Sequence, residues 1–338
     1  MTSIIYVGMD VHTTNYTLCC YSMEDDRFFA EVQVEPDAKN ILKYLAHIEK
    51  QQSRDCRIVC GYEAGCLGYS LYHQLHAHGI DCVILAATTM MTKPGKRIKT
   101  DRRDARLISK CLAFHTYSPV YIPTEVDDAV KEYIRMRDDA NSALTRVKQQ
   151  IIAFCIRHGK IHDGKSYWTN KHLEWLSSLD LGNKILSEVL QEYLIRYYQL
   201  REQVDVYDMR INELAQAEPY RQKVEKLGCF RGIAAYTALS FCVEVGDFRR
   251  FATAQQFASY LGLVPGECSS GDKQQYTGIT KAGNSHLRKL LVETAQVFGR
   301  SATKSGKSVA LKERQAKCDS LTVAYADKAN ARLKKKYF

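Results

Sequence analysis

The sequence predicts a mixed α/β domain at its N-terminal end, a helical region in the middle and a mainly α C-terminal domain. Three observations predict this. Short runs rich in β-branched and aromatic residues alternate with helical patterns through the first third of the chain. Pro119 and Pro123 mark a break, beyond which apolar residues recur at three- and four-residue steps. From Val224 the pattern changes again, and Gly, Pro, Ser and Asn gather in two loops ahead of a basic amphipathic helix. The expected boundaries are 1–120, 121–222 and 223–338.

Residues 4–10, 15–22 and 28–34 read as three strands separated by the turn-like His12-Thr13-Thr14 and Glu24-Asp25-Asp26. Asp37 to His47 reads as a helix, 57–62 as a buried strand, and Tyr69 to His78 as a helix closed by Gly79. Asp81 to Ala86 is a further strand. Thr100 is placed to cap the next helix, whose apolar side holds Ala105, Leu107, Ile108 and Leu112. Three strands followed by alternating units suggest a mixed sheet covered by helices.

Beyond the prolines, Val126, Val130, Ile134, Leu144, Val147 and Ile151 form one helical stripe. A longer one runs from Ile185 through Val189, Tyr193, Tyr197, Leu200, Val204, Tyr207 and Ile211 to Leu214. It suits a helical hairpin or coiled-coil arm as well as an ordinary bundle helix. Residues 158–183, with Trp168 and Trp175, carry no functional reading. Leu227 to Ile233 reads as a turn before a helix over Ala234 to Val243. Phe248 to Leu261 reads as a helix, residues 262–272 and 279–284 as loops, and Ser285 to Arg300 as a basic amphipathic helix. The basic run Arg332 to Lys336 reads as a frayed, solvated end.

At 338 residues the chain is long enough for two or three domains, and its net charge of +10 fits a polyanionic partner. No apolar stretch approaches membrane-spanning length, and the N-terminus lacks a basic n-region. The twelve cysteines form no C-x-x-C pair and sit mostly in apolar runs, so they read as reduced, buried and cytoplasmic.

Four carboxylates stand out. Asp10 and Glu63 end apolar strands, where an acid is costly unless exposed, paired or metal-bound. Asp101 and Asp104, three apart at a helix start, share one face. Alone, that pair also suits a solvated helix start. Converging carboxylates need a cation, and a hard all-oxygen site suits Mg²⁺. Lys93, Lys96, Arg97, Lys99, Arg102, Arg103 and Arg106 surround the second pair, as phosphodiester chemistry on nucleic acid requires. A second basic group runs from Lys281 through Arg288 to Lys289. Ser269-Ser270-Gly271-Asp272 is ordinary turn chemistry, but a serine beside a base or metal becomes a nucleophile. His286 serves equally as that base, as a phosphate contact or as a helix cap.

Met9-Asp10-Val11-His12, Tyr62-Glu63-Ala64-Gly65 and Lys99-Thr100-Asp101-Arg102-Arg103-Asp104-Ala105 resemble the three blocks of the DEDD transposases of bacterial insertion sequences. Gly262-Leu263-Val264-Pro265, Ser269-Ser270-Gly271 and Ile279-Thr280-Lys281-Ala282-Gly283-Asn284 resemble that family's C-terminal block. The group, written IS-one-ten, includes the pilin-gene invertase Piv. The resemblance implies a RuvC-like (ribonuclease H-like) N-terminal domain, a coiled-coil region and a C-terminal transposase domain. It implies Mg²⁺ on Asp10, Glu63, Asp101 and Asp104, and attack on DNA by Ser270, with Ser269 the fallback if the loop register slips. It further implies exchange between double-stranded donor and target DNA, guidance by a structured non-coding bridge RNA, and a homodimer that pairs into a tetramer. Where the family often has Ile-Pro-Gly-Ile-Gly, this chain has Cys229-Phe230-Arg231-Gly232-Ile233-Ala234, which questions a DNA-backbone role for Gly232. Arginines common after the serine are here Lys273, Gln274 and Gln275.

Rival readings are a RuvC-like junction resolvase acting without a covalent intermediate, a sugar kinase or actin-like ATPase, and a non-catalytic nucleic-acid scaffold. The ATPase reading lacks a second Gly-rich nucleotide loop. A tyrosine recombinase is disfavoured because His286-Leu287-Arg288 lacks the required spacing.

Overall fold

The computed structural model describes residues 3–52, 56–65, 67–90, 100–267, 275–300 and 306–337. They form two compact units, Met1–Ile122 and Pro123–Phe338.

The first unit is built on a five-stranded mixed sheet. β1 (Ser3–Val11), β2 (Tyr16–Ser22) and β3 (Arg27–Val34) make an antiparallel meander. Helix α1 (Ala38–Gln51), capped by the Asp37 carboxylate, leads to β4 (Cys56–Glu63), which lies parallel to β1. Helix α2 (Ser70–Ala77) leads to β5 (Asp81–Leu85), giving the order β3-β2-β1-β4-β5. A 3₁₀ turn (Ala87–Thr89) follows, and α3 (Asp101–Phe114) begins at the expected Thr100, whose hydroxyl accepts from the Arg103 N–H. The sheet is covered on both faces. Ile5, Val7 and Met9 of β1 pack with Ile41, Leu45 and Ile48 of α1 and with Leu71 and Leu75 of α2. Tyr6, Tyr21 and Leu85 pack with Ile108, Cys111 and Leu112 of α3. This mixed α/β architecture is compatible with the ribonuclease H-like expectation.

In the second unit, α4 (Glu125–Arg157) and α6 (Lys184–Gln216) are 33 residues each, about 50 Å long. They run antiparallel. Leu144, Val147, Ile151 and Phe154 pack on Leu190, Leu194, Tyr197 and Val204, while Val130 and Ile134 at the other end meet Ile211 and Ala215. The apolar stripe is therefore covered within the chain by a helical hairpin at Tyr197, Val204 and Ile211, while Ile185 and Val189 at its start stay exposed. At the hairpin tip, α5 (Asn170–Ser177) seats Trp168 and Trp175 around the fully buried His172.

Helices α7 (Arg221–Gly228) and α8 (Ala235–Val245) follow, and α8 shares a core with α4 and α6. The single helix expected over Phe248–Leu261 is instead a 3₁₀ turn (Phe248–Arg250) and a separate α9 (Ala254–Tyr260). Asp247 and Thr253 each cap a start, which divides the run. A hairpin of β6 (Pro265–Glu267) and β7 (Tyr276–Ile279) occupies the expected loop region. Then come α10 (Ser285–Arg300), α11 (Val309–Gln315) and α12 (Ser320–Tyr337). Lys334, Lys335 and Lys336 form the last turn of α12 rather than a frayed end, where cations complement the helix dipole. No helix among the described residues is long and apolar enough to cross a membrane.

Candidate functional site

The first site is created by the alternation of β1. Odd-numbered Val7 and Met9 face α1 and α2, so even-numbered Gly8 and Asp10 face α3. Gly8 is the point of closest approach. A Cβ there would overlap the Ala105 carbonyl oxygen and the Ser109 backbone nitrogen. With that spacing, the first turn of α3, carrying Asp101 and Asp104, comes to the end of β1 where Asp10 stands. In the parallel ladder Met9 pairs with Tyr62, so Glu63 is the next neighbour of Asp10 and shares its face.

The ligand atoms of Asp10, His12 and Asp101 lie within 4.8 Å of one another. The His12 Nε2 is 3.3 Å from Asp10 Oδ2, with the imidazole 47% exposed and the carboxylate 15%. Burial pushes the Asp10 carboxyl above its ordinary range; His12 opposes this, and Asp104 and Asp101 reinforce it. Asp104 is thus within electrostatic reach of Asp10. The carboxylate of Glu63 is exposed and stands outside the 4.8 Å cluster.

Asp10 Oδ2 is buried without a hydrogen-bond partner. Thr17 faces Asp10 across the β1–β2 ladder, and its hydroxyl is also buried and unpartnered. A buried carboxylate oxygen whose near neighbour is only the His12 imidazole, an unpartnered hydroxyl and a second carboxylate fit a hydrated divalent cation. Such a cation would offset the desolvation of Asp10, and the helix N-terminus favours the carboxylates of Asp101 and Asp104. The sequence reading placed His12 in a turn, and it lies there, one residue past the end of β1, with its N–H donating to the Asn15 oxygen; what that reading missed is that the imidazole reaches Asp10.

Of the expected phosphate contacts, Arg102 and Arg103 lie exposed on the first turn of α3. Arg102 pairs with Glu31 at 3.3 Å, and Arg106 bonds the same carboxylate at 2.6 Å. Lys93, Lys96, Arg97 and Lys99 lie outside the described residues, as do Ser269, Ser270, Gly271 and Lys273.

The rest of the C-terminal block is ordered by backbone contacts. Gly262 and Gly283 both have positive φ, and a Cβ on either would overlap a backbone oxygen, of Ala282 and Tyr260 respectively. Arg288 donates to the Leu261 oxygen at 2.7 Å and to the Ala282 oxygen at 3.3 Å, clamping the two segments together. Lys281 is exposed with φ of 54°, and Lys289 lies 4.0 Å from Glu293. Gly232 also has positive φ, and its Cβ would come 2.9 Å from the Thr294 oxygen, so this glycine serves a close approach to α10.

Known proteins share both halves of this arrangement. A family model for DEDD-type IS110 transposases matches residues 7–156, and one for the transposase IS116/IS110/IS902 family matches residues 225–314. The transposase for insertion sequence element IS1533 of Leptospira borgpetersenii is 32% identical over 98% of this chain and 95% of its own length. The Sinorhizobium fredii protein y4qE is 36% identical over 70% of this chain and 57% of its own length. The transposase for insertion sequence element IS1111A of Coxiella burnetii is 28% identical over 60% of this chain and 56% of its own. With the acidic site in the first matched region and the glycine-ordered block in the second, the chain belongs to the IS110 family of DEDD transposases.

Proposed function

We propose that this chain is a DNA transposase whose Asp10, Glu63, Asp101 and Asp104, on a RuvC-like, ribonuclease H-like domain, hold Mg²⁺, and whose Ser270 attacks DNA to form a 5′-phosphoserine intermediate. The observation that carries the reading is the convergence of the Asp10, His12 and Asp101 ligand atoms within 4.8 Å of one another at a half-buried carboxylate. A bound Mg²⁺ would polarise phosphoryl oxygens and favour ionisation of the attacking hydroxyl. Asp10 and Asp101 fix the position of charge on a rigid strand and a rigid helix, and Glu63 approaches from the neighbouring strand. His12 restrains the Asp10 carboxylate from its exposed side. A serine ester of the 5′-phosphate conserves the phosphodiester energy, so strands are exchanged and resealed without ATP.

Donor and target are double-stranded DNA, selected by a structured non-coding RNA and held by Lys93, Lys96, Arg97, Lys99, Arg102, Arg103, Lys273, Lys281 and Lys289. Arg288 contributes by clamping the segments at Leu261 and Ala282 together. The protein acts as a dimer that pairs into a tetramer on DNA. In support, Ile195, Tyr198, Val206 and Met209 remain exposed on α6, away from the face packed on α4.

The test is mass spectrometry of protein trapped on a nicked suicide substrate. An adduct on Ser270 is expected, absent in EDTA and in Ser270→Ala. An adduct on Ser269 corrects the register. Full activity of the Ser269/Ser270 double alanine variant overturns the serine mechanism in favour of a junction resolvase.

A further inference from the structure

The hairpin of α4 and α6 carries its charge unevenly. Toward the root, arginines meet acids: Arg135 lies 2.6 Å from Glu132, Arg137 2.7 Å from Asp208, and Arg210 2.6 Å from Glu213. Toward the tip they do not. Lys148, Arg157, Lys160, Lys165, Lys171 and Arg201 form no ion pair with any described residue. Cations scattered over a surface are solvated by water and need no partner. Lys148 and Arg201 are a different case, because they stand beside each other. The Lys148 ammonium is partly buried, 5.5 Å from the centre of the Trp168 ring and 5.8 Å from that of Tyr197. Burial and the neighbouring Arg201 guanidinium hold it below the ordinary lysine pKa. Two like charges side by side, one of them partly desolvated, oppose folding until an anion joins them.

We propose that the cleft between α5 and α6 binds an unpaired nucleotide of a single-stranded RNA segment, its base stacked on Tyr198 and its phosphates held by Arg201 and Lys148. The inference rests on the reading above that an RNA works with this chain, and gives that RNA a contact outside the basic residues named there.

The cleft is open and has a volume of about 590 Å³, within the range of roughly 300–1,000 Å³ for small-molecule sites. An open cleft suits a strand that enters and leaves. Tyr198 and Arg201 line it from α6; Asn170, Glu174, Ser177 and Ser178 line it from α5 and its end. Tyr198 is 45% exposed, and its ring is propped at 68° by that of Tyr197, with centroids 5.2 Å apart. Tyr197 is in turn buried against the Trp168 ring at 5.0 Å. Trp168 has φ of 64°, a conformation that a bulky residue adopts only where its surroundings impose it, and its N–H donates to His172 Nδ1 at 3.2 Å. An exposed ring on a fixed base loses little freedom when a ligand stacks on it. Such stacking needs an unpaired base, because in a duplex the neighbouring bases cover both faces.

The chemistry of the α5 wall favours ribose. The Ser177 hydroxyl donates to the Leu173 oxygen at 2.9 Å and the Ser178 hydroxyl to the Trp175 oxygen at 3.1 Å. What they offer a ligand is therefore their lone pairs, and the Glu174 carboxylate likewise only accepts. A row of acceptors meets the 2′-hydroxyl, a donor that deoxyribose lacks. Glu174 also repels phosphate while Arg201 attracts it, which orients the strand across the cleft. With Tyr198 committed here, Ile195, Val206 and Met209 are the exposed α6 residues left for a subunit contact. The chain has 2 tryptophans, Trp168 and Trp175, and both lie at this tip, so tryptophan emission reports on it alone.

The probes are an RNA stem-loop with a loop of unpaired uridines, the same stem-loop in DNA, and the RNA stem as a blunt duplex, each titrated into the full chain. The RNA stem-loop should quench tryptophan emission and bind more tightly than the other two. Tyr198→Ala should weaken its binding by about 5–150-fold, the loss of one stacked base, while Tyr198→Phe, which keeps the ring, binds as the parent does. Arg201→Gln should lower the slope of log affinity against log salt by about 0.7, the share of one single-strand phosphate. Equal affinity for the DNA stem-loop overturns the assignment to RNA, and equal affinity for the blunt duplex overturns the stacked base. Loss of affinity in Tyr198→Ala together with a smaller assembly in light scattering overturns the cleft in favour of a subunit contact. An unaltered chain that binds neither RNA probe overturns the RNA reading above together with this inference. Binding of the RNA stem-loop that Tyr198→Ala and Arg201→Gln both match overturns this inference alone.

Discussion

Gly8→Ala tests how the acidic site is held together. In an open strand this change would stabilise the protein by about 0.5–1 kcal/mol, because glycine loses the most conformational freedom on folding. At Gly8 the sign reverses. The new methyl overlaps the Ala105 oxygen and the Ser109 nitrogen and lies 3.0 Å from Ser109 Cβ. Two of these are helix backbone atoms that cannot rotate away, so α3 must move by roughly 1 Å as a body or β1 must bow. Overpacking of this kind costs about 1–3 kcal/mol, which for a unit of this size is roughly 3–15 °C in melting temperature. Activity should suffer more. Asp101 and Asp104 travel with α3 while Asp10 stays on β1, and a misplacement of about 1 Å at a reacting centre costs on the order of 10²-fold. Differential scanning fluorimetry and a cation-dependent cleavage assay on the same preparation, held well below the midpoint, separate the two effects. A variant that melts no lower than the parent and cuts at the parent rate would refute the close-approach argument.

Two further outcomes follow from other residues. The Asp10 carboxyl is raised by burial, with Asp104 and Asp101 adding to it against His12; a carboxyl raised in the folded state stabilises the fold below its unfolded value and loses that contribution as pH rises through the folded one. At neutral pH without divalent cation its charge works against folding, so Asp10→Asn should raise the melting temperature there, abolish the stabilisation that Mg²⁺ gives the parent, and stop cleavage; a lower melting temperature at pH 7 would contradict this. Arg288→Ala should destabilise the second unit by about 1–3 kcal/mol through the unmet oxygens of Leu261 and Ala282, while leaving the slope of DNA affinity against salt unchanged in equilibrium titrations; a slope reduced by about one would make Arg288 a phosphate contact instead.

Much of the first unit was legible because strand alternation and acid placement report on the same surface. Asp10 and Glu63 end apolar runs, and Thr100 is a strong cap ahead of a clear helical stripe. Glu63 was located correctly by strand register, but whether its carboxylate joins the 4.8 Å cluster depends on side-chain reach, which no pattern encodes. His12 lies in the turn that Thr13 and Thr14 signal, but where the side chain of a turn residue reaches is not written in a local pattern. The stripe on α6 was plain, yet periodicity only says which face is apolar, not whether α4 or a second chain covers it. β6 and β7 were missed because they span three and four residues and include Pro265, Gly266 and Gly278, types depleted from strands.

The order of strands in the first sheet also sets when the acidic site comes into being. β1 emerges first during synthesis, and β2 and β3 can zip onto it at once as local hairpins. Its other edge must wait for β4, and the face bearing Asp10 stays bare until α3 docks against Gly8. Until then a nascent or prematurely released chain carries a lone aspartate on a hairpin, with neither Glu63 nor Asp101 and Asp104 beside it. If the four carboxylates hold the cation as proposed, such a chain is expected to bind it weakly and to cut no DNA. On that proposal ribosome-bound and truncated products are inert, and competence arises only in chains that have passed the point where the fold closes.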